Sequence, residues 1–329
     1  MRLSKYLSAL WLAVVGLCAM TPVAAQEAYP SRPIKLLVGY PAGGASDVAA
    51  RAVAGRMAEL LGQPVVVENK PGAAGNIAAE TIAKAKPDGY NILFGTISSS
   101  INPSLYKKLT FDALKDFVAV SQVSSAPFLL VVTPTAPYQS VADIIAAAKK
   151  AGNDKDKLPD YATAGNGSGS HLFTELFAMM AGIQLNHIPY RGAAPAMADV
   201  MGGQVPITFD NITTTISPVK AGKLRALAVS TNKRSSVAPD IPTLSESGVP
   251  GFDATAWFGL FVPAGTPTEV INKLARATAD AVNTPAVKET LLQTGSEPVG
   301  STPAQFEAFY KAEVAKWAEV VKRAKVGVD

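Results

Sequence analysis

The chain is nearly free of cysteine. Among its 329 residues there is one, Cys18, and it lies in an apolar N-terminal stretch that reads as a removable leader. A mature protein without that leader has no thiol, so disulfides, cysteine metal sites and cysteine nucleophiles are excluded. Histidine is almost as scarce, with His171 and His187 the two present. There is no G-x-x-x-x-G-K-S/T phosphate loop, no H-E-x-x-H zinc motif and no G-x-S-x-G nucleophile elbow. Carboxylates do not fall at metal-ligand spacing, so no metal and no cofactor is expected. No basic run or lysine and arginine stripe with interleaved aromatics occurs, which argues against nucleic acid. After the leader no apolar stretch reaches membrane-spanning length.

The leader itself has three parts. Arg2 and Lys5 form a charged start, Leu7 to Met20 an apolar run too short to span a bilayer, and Val23-Ala24-Ala25 a small-residue cleavage site. Cleavage after Ala25 takes 25 of the 329 residues and leaves 304, enough for two domains. Losing Arg2 and Lys5 leaves 28 of the 30 basic residues against 26 acidic ones, close to neutrality. A lipoprotein acylated at Cys18 is the alternative, which Leu17 disfavours. The reading is an exported protein held by its core.

Along the mature chain, strands alternate with helices, the pattern of a mostly parallel sheet covered on both faces. Ile34 to Gly39 reads as a buried strand, and Val48, Ala52, Val53, Met57, Leu60 and Leu61 recur at helical spacing after it. Between them lies Tyr40-Pro41-Ala42-Gly43-Gly44-Ala45-Ser46-Asp47, with Ser46 or Asp47 placed to cap the helix. Bare N–H groups and a helix dipole at such a turn suit an anion. An ordinary connection with glycine for geometry alone explains the same residues. Two further glycine-rich loops follow strands, at 69–76 and 165–170. In doubly wound sheets such loops lie where ligands bind, and two facing each other across a cleft would clamp a small anion. Ser124–Pro127 and the Pro-, Gly- and Ser-rich 242–256 read as crossovers, so that Trp257–Pro263 returns to the first sheet. Helices are expected at about 267–283, 285–294 and 302–324.

Other candidates are weighed singly. Arg191 either pairs with a carboxylate or faces solvent. Asp210 and Asn211 end a strand, as an N-cap or as groups facing a cleft. His171, on the first turn of a helix, is expected to bond to its loop or cap it, and His187 to be a satisfied core or edge residue. A hydrolase using Ser170 or Ser168 with His171 is the enzymatic alternative.

Eight ordered blocks resemble one family, the periplasmic solute-binding proteins of tripartite tricarboxylate transporters (TctC or Bug type). They are Tyr29-Pro30-x-Arg32-Pro33-Ile34, Pro41-Ala42-Gly43-Gly44-x-x-Asp47, Val67-Glu68-Asn69-Lys70-Pro71-Gly72-Ala73-x-Gly75 and Asn102-Pro103-x-Leu105-Tyr106. Ala164-Gly165-x-Gly167-Ser168-x-x-His171-Leu172, Pro189-Tyr190-x-Gly192, Arg225-Ala226-Leu227-Ala228-Val229 and Pro242-Thr243-Leu244-x-Glu246-x-Gly248 running on to Pro250-Gly251-Phe252 follow. A small departure is Thr110, where the family pattern has proline. The resemblance implies an α/β, two-domain Venus flytrap of type II-like topology with two crossovers. Its domains would be 26–125 with 252–300, and 126–251, while 301–329 packs back across the second domain. It implies a non-enzymatic binding protein that closes on a small organic carboxylate: a di- or tricarboxylate, an acidic amino acid or an aromatic acid. Backbone N–H groups of Ala42, Gly43 and Gly44 would face those of Gly167, Ser168 and Gly169, with Asp47 and Ser170 orienting the loops. Tyr40, Ser98, Tyr190, Arg191 and Asp210 map near the rest of the pocket. The partners implied are a large and a small integral membrane subunit, and the binding protein itself a monomer. A sensor presenting its ligand to a membrane receptor is the alternative.

Overall fold

The computed structural model describes residues 29–327, so the leader, its cleavage site and Cys18 lie outside the described residues. From Arg32 onward the chain forms one compact unit; Tyr29 to Ser31 precede it, with a cis Tyr29–Pro30 bond.

The first lobe opens with β1 (Ile34–Val38), α1 (Ala45–Leu61), β2 (Val65–Asn69), α2 (Asn76–Ala83) and β3 (Asn91–Thr96). After α3 (Ser98–Leu105), β4 (Phe117–Ala126) carries the chain to the second lobe. There β5 (Phe128–Val132), α4 (Val141–Ala151), β6 (Asp160–Thr163), α5 (Gly169–Ala181), β7 (Asn186–Pro189), α6 (Ala193–Met201), β8 (Ile207–Asn211), α7 (Ile212–Lys220) and β9 (Arg225–Val229) follow. The return is β10 (Ala256–Pro263), then α8 (Thr268–Val282), α9 (Pro285–Gln293), β11 (Glu297–Pro298) and α10 (Pro303–Ala324). The first sheet has the order β11-β4-β10-β3-β1-β2 and the second β7-β6-β8-β5-β9.

This is a two-domain α/β fold, but the expected mostly parallel sheets are mixed. β1 runs parallel to β2 and β3, whereas β10 is antiparallel to both β3 and β4. In the second sheet β5 is antiparallel to β8 and β9, and β6 is parallel to β7 and β8. The strands that carry the chain out of a lobe and back must run in opposite senses, which puts antiparallel pairs in each sheet. The first crossover is also shorter than the sequence suggests: β4 extends through Ser124–Ala126, and Pro127 alone separates it from β5.

Two apolar clusters matter for the site. In the first lobe, Leu37, Leu93, Trp257, Phe261, Phe306 and Tyr310 pack together. In the second, Phe128, Phe173, Phe177, Phe209 and Phe252 take in Trp317, Val320 and Val321 of α10 and Ile101 and Leu105 of α3. The final helix thus lies on both lobes, its first half in one cluster and its second half in the other. Trp317 is fully buried and stacks on Phe173 at 5.3 Å between ring centroids.

Helix α3 is an element the sequence reading leaves as a hydroxyl cluster. Four serines and Pro103 have poor helix propensity. Burial of Ile101 and Leu105 against the second lobe overrides it. A proline at 103 cannot donate to the Ser99 carbonyl, and the Tyr310 hydroxyl of α10 donates to that carbonyl instead, at 3.0 Å.

Candidate functional site

Loop 39–47 turns the end of β1 into α1. The N-cap is Gly44, which has no side chain, and not the Ser46 or Asp47 expected from composition. The first intrahelical bond runs from Val48 N–H to the Gly44 carbonyl, so the N–H groups of Gly44, Ala45, Ser46 and Asp47 have no helical acceptor. Gly43 has φ of 84°, a left-handed conformation that glycine adopts without strain. Its N–H donates to Asp47 Oδ2 at 2.9 Å.

Asp47 is the centre of a small network. Its Oδ2 also accepts from Arg51 Nε at 2.9 Å, and its Oδ1 accepts from Asn69 Nδ2 at 2.9 Å. Asn69 Nδ2 also donates to the Tyr40 carbonyl at 3.1 Å, tying this loop to the next glycine-rich one. The Arg51 hydrogen bond, helped by those of Gly43 and Asn69, holds the Asp47 carboxyl at about 2 against the opposing effect of burial. Gly39 lies so close to Gly75 that a β-carbon there would sit 2.6 Å from the Gly75 Cα. That contact needs glycine at 39, while Gly75 is favoured by its φ of 92°.

The second-lobe loop repeats the arrangement with different chemistry. Ser168 is the N-cap of α5, its hydroxyl accepting from His171 N–H. Gly167 has φ of 73° and its N–H donates to His171 Nδ1 at 3.1 Å. The Ser168 N–H is used by the Gly165 carbonyl at 3.2 Å. Hence two of the three backbone donors expected here, Gly167 and Ser168, have partners within the loop. The N–H groups of Gly169 and Ser170 have none among the described residues. Ser170 Oγ accepts the Ala164 N–H at 2.9 Å and lies 3.0 Å from Ser168 Oγ.

His171 and His187 stack with ring centroids 4.0 Å apart and planes within 8°. His187 Nε2 lies 2.6 Å from Thr163 Oγ1. Burial, with the neighbouring His187, lowers His171 to about 4. It is therefore neutral and can accept from Gly167. Neither Ser168 nor Ser170 places its hydroxyl on the imidazole, so the proposed hydrolase dyad is not assembled. Sequence reading placed His171 on its loop but missed that its acceptor spends one of the candidate ligand donors. The matching i to i+4 spacing of Gly43–Asp47 and Gly167–His171 was the available signal.

The remaining candidates divide. The Tyr40 hydroxyl donates to Ser98 Oγ at 2.8 Å and lies 3.2 Å from Thr96 Oγ1, so these two candidates share one network. Tyr190 donates to Asp199 Oδ2 at 2.6 Å, which pushes its hydroxyl up to about 12 and turns it toward α6. Arg191 is exposed and makes no ion pair among the described residues. Asp210 accepts from Asn211 N–H at 2.7 Å, and burial raises it to about 6 despite that bond. Continuing the β6–β8 register puts Asp210 level with Ala164, where loop 165–170 begins. Asn211, not Asp210, caps α7.

Both loops border the interface between the lobes. Gly167 lies against Leu105 of α3, where a β-carbon would be 3.0 Å from Cδ2. Ala45, in the first turn of α1, lines a cavity of about 30 Å³ together with Asn211 and Thr213 of the second lobe. A larger polar cavity, about 290 Å³, lies at the crossovers between Ser125, Asn232, Asp253, Glu297 and Lys316, and neither loop enters its wall. Among the described residues no helix is long and apolar enough to cross a membrane.

Comparison with known proteins follows the same lines. A family model described as the tripartite tricarboxylate transporter family receptor matches residues 49–326. Protein BugT of Bordetella pertussis is 37% identical over 318 residues, 94% of this chain and 96% of BugT. Among solved structures, R. palustris Rpa4515 with adipate is 36% identical at a TM-score of 0.73, covering 91% of this chain and 99% of that one. MatC from Rhodopseudomonas palustris with bound malate is 30% identical at a TM-score of 0.70, covering 89% and 100%.

Proposed function

This chain belongs to the tripartite tricarboxylate transporter receptor family, and on that premise we propose that it captures a small organic dicarboxylate between its lobes. The family and fold are those of substrate-binding proteins, and we read the chain as a receptor with no catalytic step. The observation that carries the reading is a pair of helix N-termini, one from each lobe. Among the described residues, the first turn of α1 leaves the N–H groups of Gly44, Ala45 and Ser46 without partners, and that of α5 leaves those of Gly169 and Ser170. Asp47 and His171 brace the two turns by accepting the N–H of the preceding glycine.

Such donors suit a carboxylate for a physical reason. Oriented N–H groups and the positive ends of two helix dipoles stabilise negative charge without burying a compensating cation. The desolvation of a full ion pair is thereby avoided. Two N-termini on separate lobes would hold the two ends of one dicarboxylate and draw the lobes together, a hinge closure about the crossovers Ser124–Pro127 and Gly251–Thr255. Adipate and malate, bound in two of the similar structures, are dicarboxylates of suitable size. The liganded form would then be delivered to a large and a small membrane subunit on the periplasmic side, after removal of the leader.

The test is a thermal-shift titration of the protein from Gln26 onward against dicarboxylates, monocarboxylates, citrate, acidic amino acids and aromatic acids. A ligand at ~100 times its dissociation constant adds roughly 2.7 kcal/mol of stability and raises the melting point by about 4 °C for a chain of this size. A shift with dicarboxylates supports the reading. Its absence with every carboxylate, in folded protein freed of carried-over ligand, would overturn it.

A further inference from the structure

The cavity beside Ala45 contains a polar group that the fold itself does not use. Ser124, near the end of β4, is 0% exposed, and its Oγ has no hydrogen-bond partner among the described residues. Burying a hydroxyl without a partner forfeits its hydrogen bonds to water, so an unpaired one calls for a reason.

The register of the sheet says where it points. Ser124 opposes Phe258 across β4 and β10, while Ser125 opposes Trp257. Trp257 packs into the first-lobe cluster with Phe306 and Tyr310. Side chains alternate along a strand, so Ser124 projects from the other face, with Phe258. Both Ser124 and Phe258 line the cavity of about 30 Å³, together with Ala45, Trp257 and Ser296 of the first lobe and Asn211 and Thr213 of the second.

Size and donors both fit one chemical group. A water-sized atom needs roughly 10–15 Å³ of such space, so the cavity has room for about two oxygen atoms. Ala45 offers an unspent N–H at the positive end of α1. Asn211 Oδ1 is already used by the N–H and hydroxyl of Thr213, which leaves its amide nitrogen as a donor. No cation is in the wall. The set consists of neutral donors around a two-oxygen space.

We propose that this cavity is the seat of one carboxylate of the ligand, and that Ser124 is a ligand-contacting, specificity-determining residue that donates to it. The Asn211 amide joins from the second lobe only when the lobes are together, so the same carboxylate couples binding to closure. The inference rests on the dicarboxylate reading above, and adds to it the residues that read one end.

The experiment uses the protein from Gln26 onward, with Ser124→Ala and Ser124→Val. Succinate, malate and adipate serve as probes, by isothermal titration and by melting with and without ligand. Ser124→Ala is expected to weaken the tightest of the three about 5–20-fold. Its ligand-free melting point should equal or exceed that of the parent, because a hydroxyl bonded only to ligand contributes nothing to the empty fold. Ser124→Val, which fills the space with methyl groups, is expected to abolish the shift. Unchanged affinity in Ser124→Ala, with the parent protein binding normally, would overturn the inference and leave the dicarboxylate reading standing. A lower ligand-free melting point in Ser124→Ala with equal affinity would make the hydroxyl structural, and overturns it too. Failure of the parent protein to bind any probe would overturn both.

Discussion

His171 Nδ1 accepts the N–H of Gly167 at 3.1 Å, the same relation, four residues apart, that Asp47 Oδ2 has to Gly43 at 2.9 Å. Each lobe thus braces its glycine turn with the third residue of the following helix. One brace is an anion held near 2 and the other a neutral imidazole held near 4. They respond differently to acid.

For His171 the sign follows from its lowered value. An unfolded histidine titrates near 6.5, and the folded one near 4. The fold therefore gains stability from neutral His171 above pH 6.5 and loses it as pH falls from there through 4. The loss is on the order of 3 kcal/mol when complete. His187, stacked on it and also lowered by burial, acts with the same sign. Urea denaturation at steps from pH 7 to pH 4 should show the decline, and His171→Asn, which cannot take a proton, should flatten part of it. An equally steep profile in the variant would show that the decline has another source.

Asp47→Asn removes the charge that holds Arg51 and turns one acceptor into a donor. With Gly43 and Asn69 also dependent on that carboxylate, a loss of about 1–3 kcal/mol is expected at pH 7. Ligand affinity should fall with it, because the turn that aims the α1 donors is no longer fixed. Titration calorimetry beside a urea curve separates the two effects.

Asp210 runs the other way. Its folded value of about 6 lies above the unfolded one near 3.9, so ionisation costs stability as pH rises from about 4 through 6. Asp210→Asn should be more stable than the parent at pH 8 and equal to it near pH 4. If Asp210 faces the ligand, affinity of the parent for a dicarboxylate should fall across pH 5 to 7 and stay level in the variant. A parallel fall in both would remove Asp210 from the pocket.

Gly43→Ala tests the turn itself. Nothing lies within 4 Å of where the β-carbon would go, so the cost is conformational, about 1–2 kcal/mol for a left-handed alanine. A valine is stiffer there and would confound loss of binding with loss of fold, so alanine is the better probe. Weaker binding with a melting point lowered by only a few degrees is the expected result.

Much of this was legible in one dimension. The ordered blocks around Asp47 and His171 were legible through resemblance to a family, while strand and helix alternation and the glycine-rich turns follow from local periodicity and local backbone demand, which a sequence carries directly. Asn211 as a cap and Ser140 as a capping box with Asp143 belong to the same class. Helix α3 did not, because Ser98–Leu105 has poor intrinsic propensity and is held by Leu105 against one lobe and by Tyr310 from α10. The mixed sheets were hidden for a similar reason, since the direction of β10 depends on how the chain crosses back between lobes.

The site divides along the same line. The sequence alone determined that two helices begin at glycine turns and present unpaired N–H groups, since capping and φ are set within a few residues. Only the tertiary structure decided which donors stay available, because Gly167 is spent on His171 and Gly43 on Asp47 by side-chain direction. It alone brought Ser124 and Asn211, 87 positions apart in the numbering, to the walls of one cavity beside Ala45. Contacts between distant segments are set by how the lobes pack, and no local pattern encodes them.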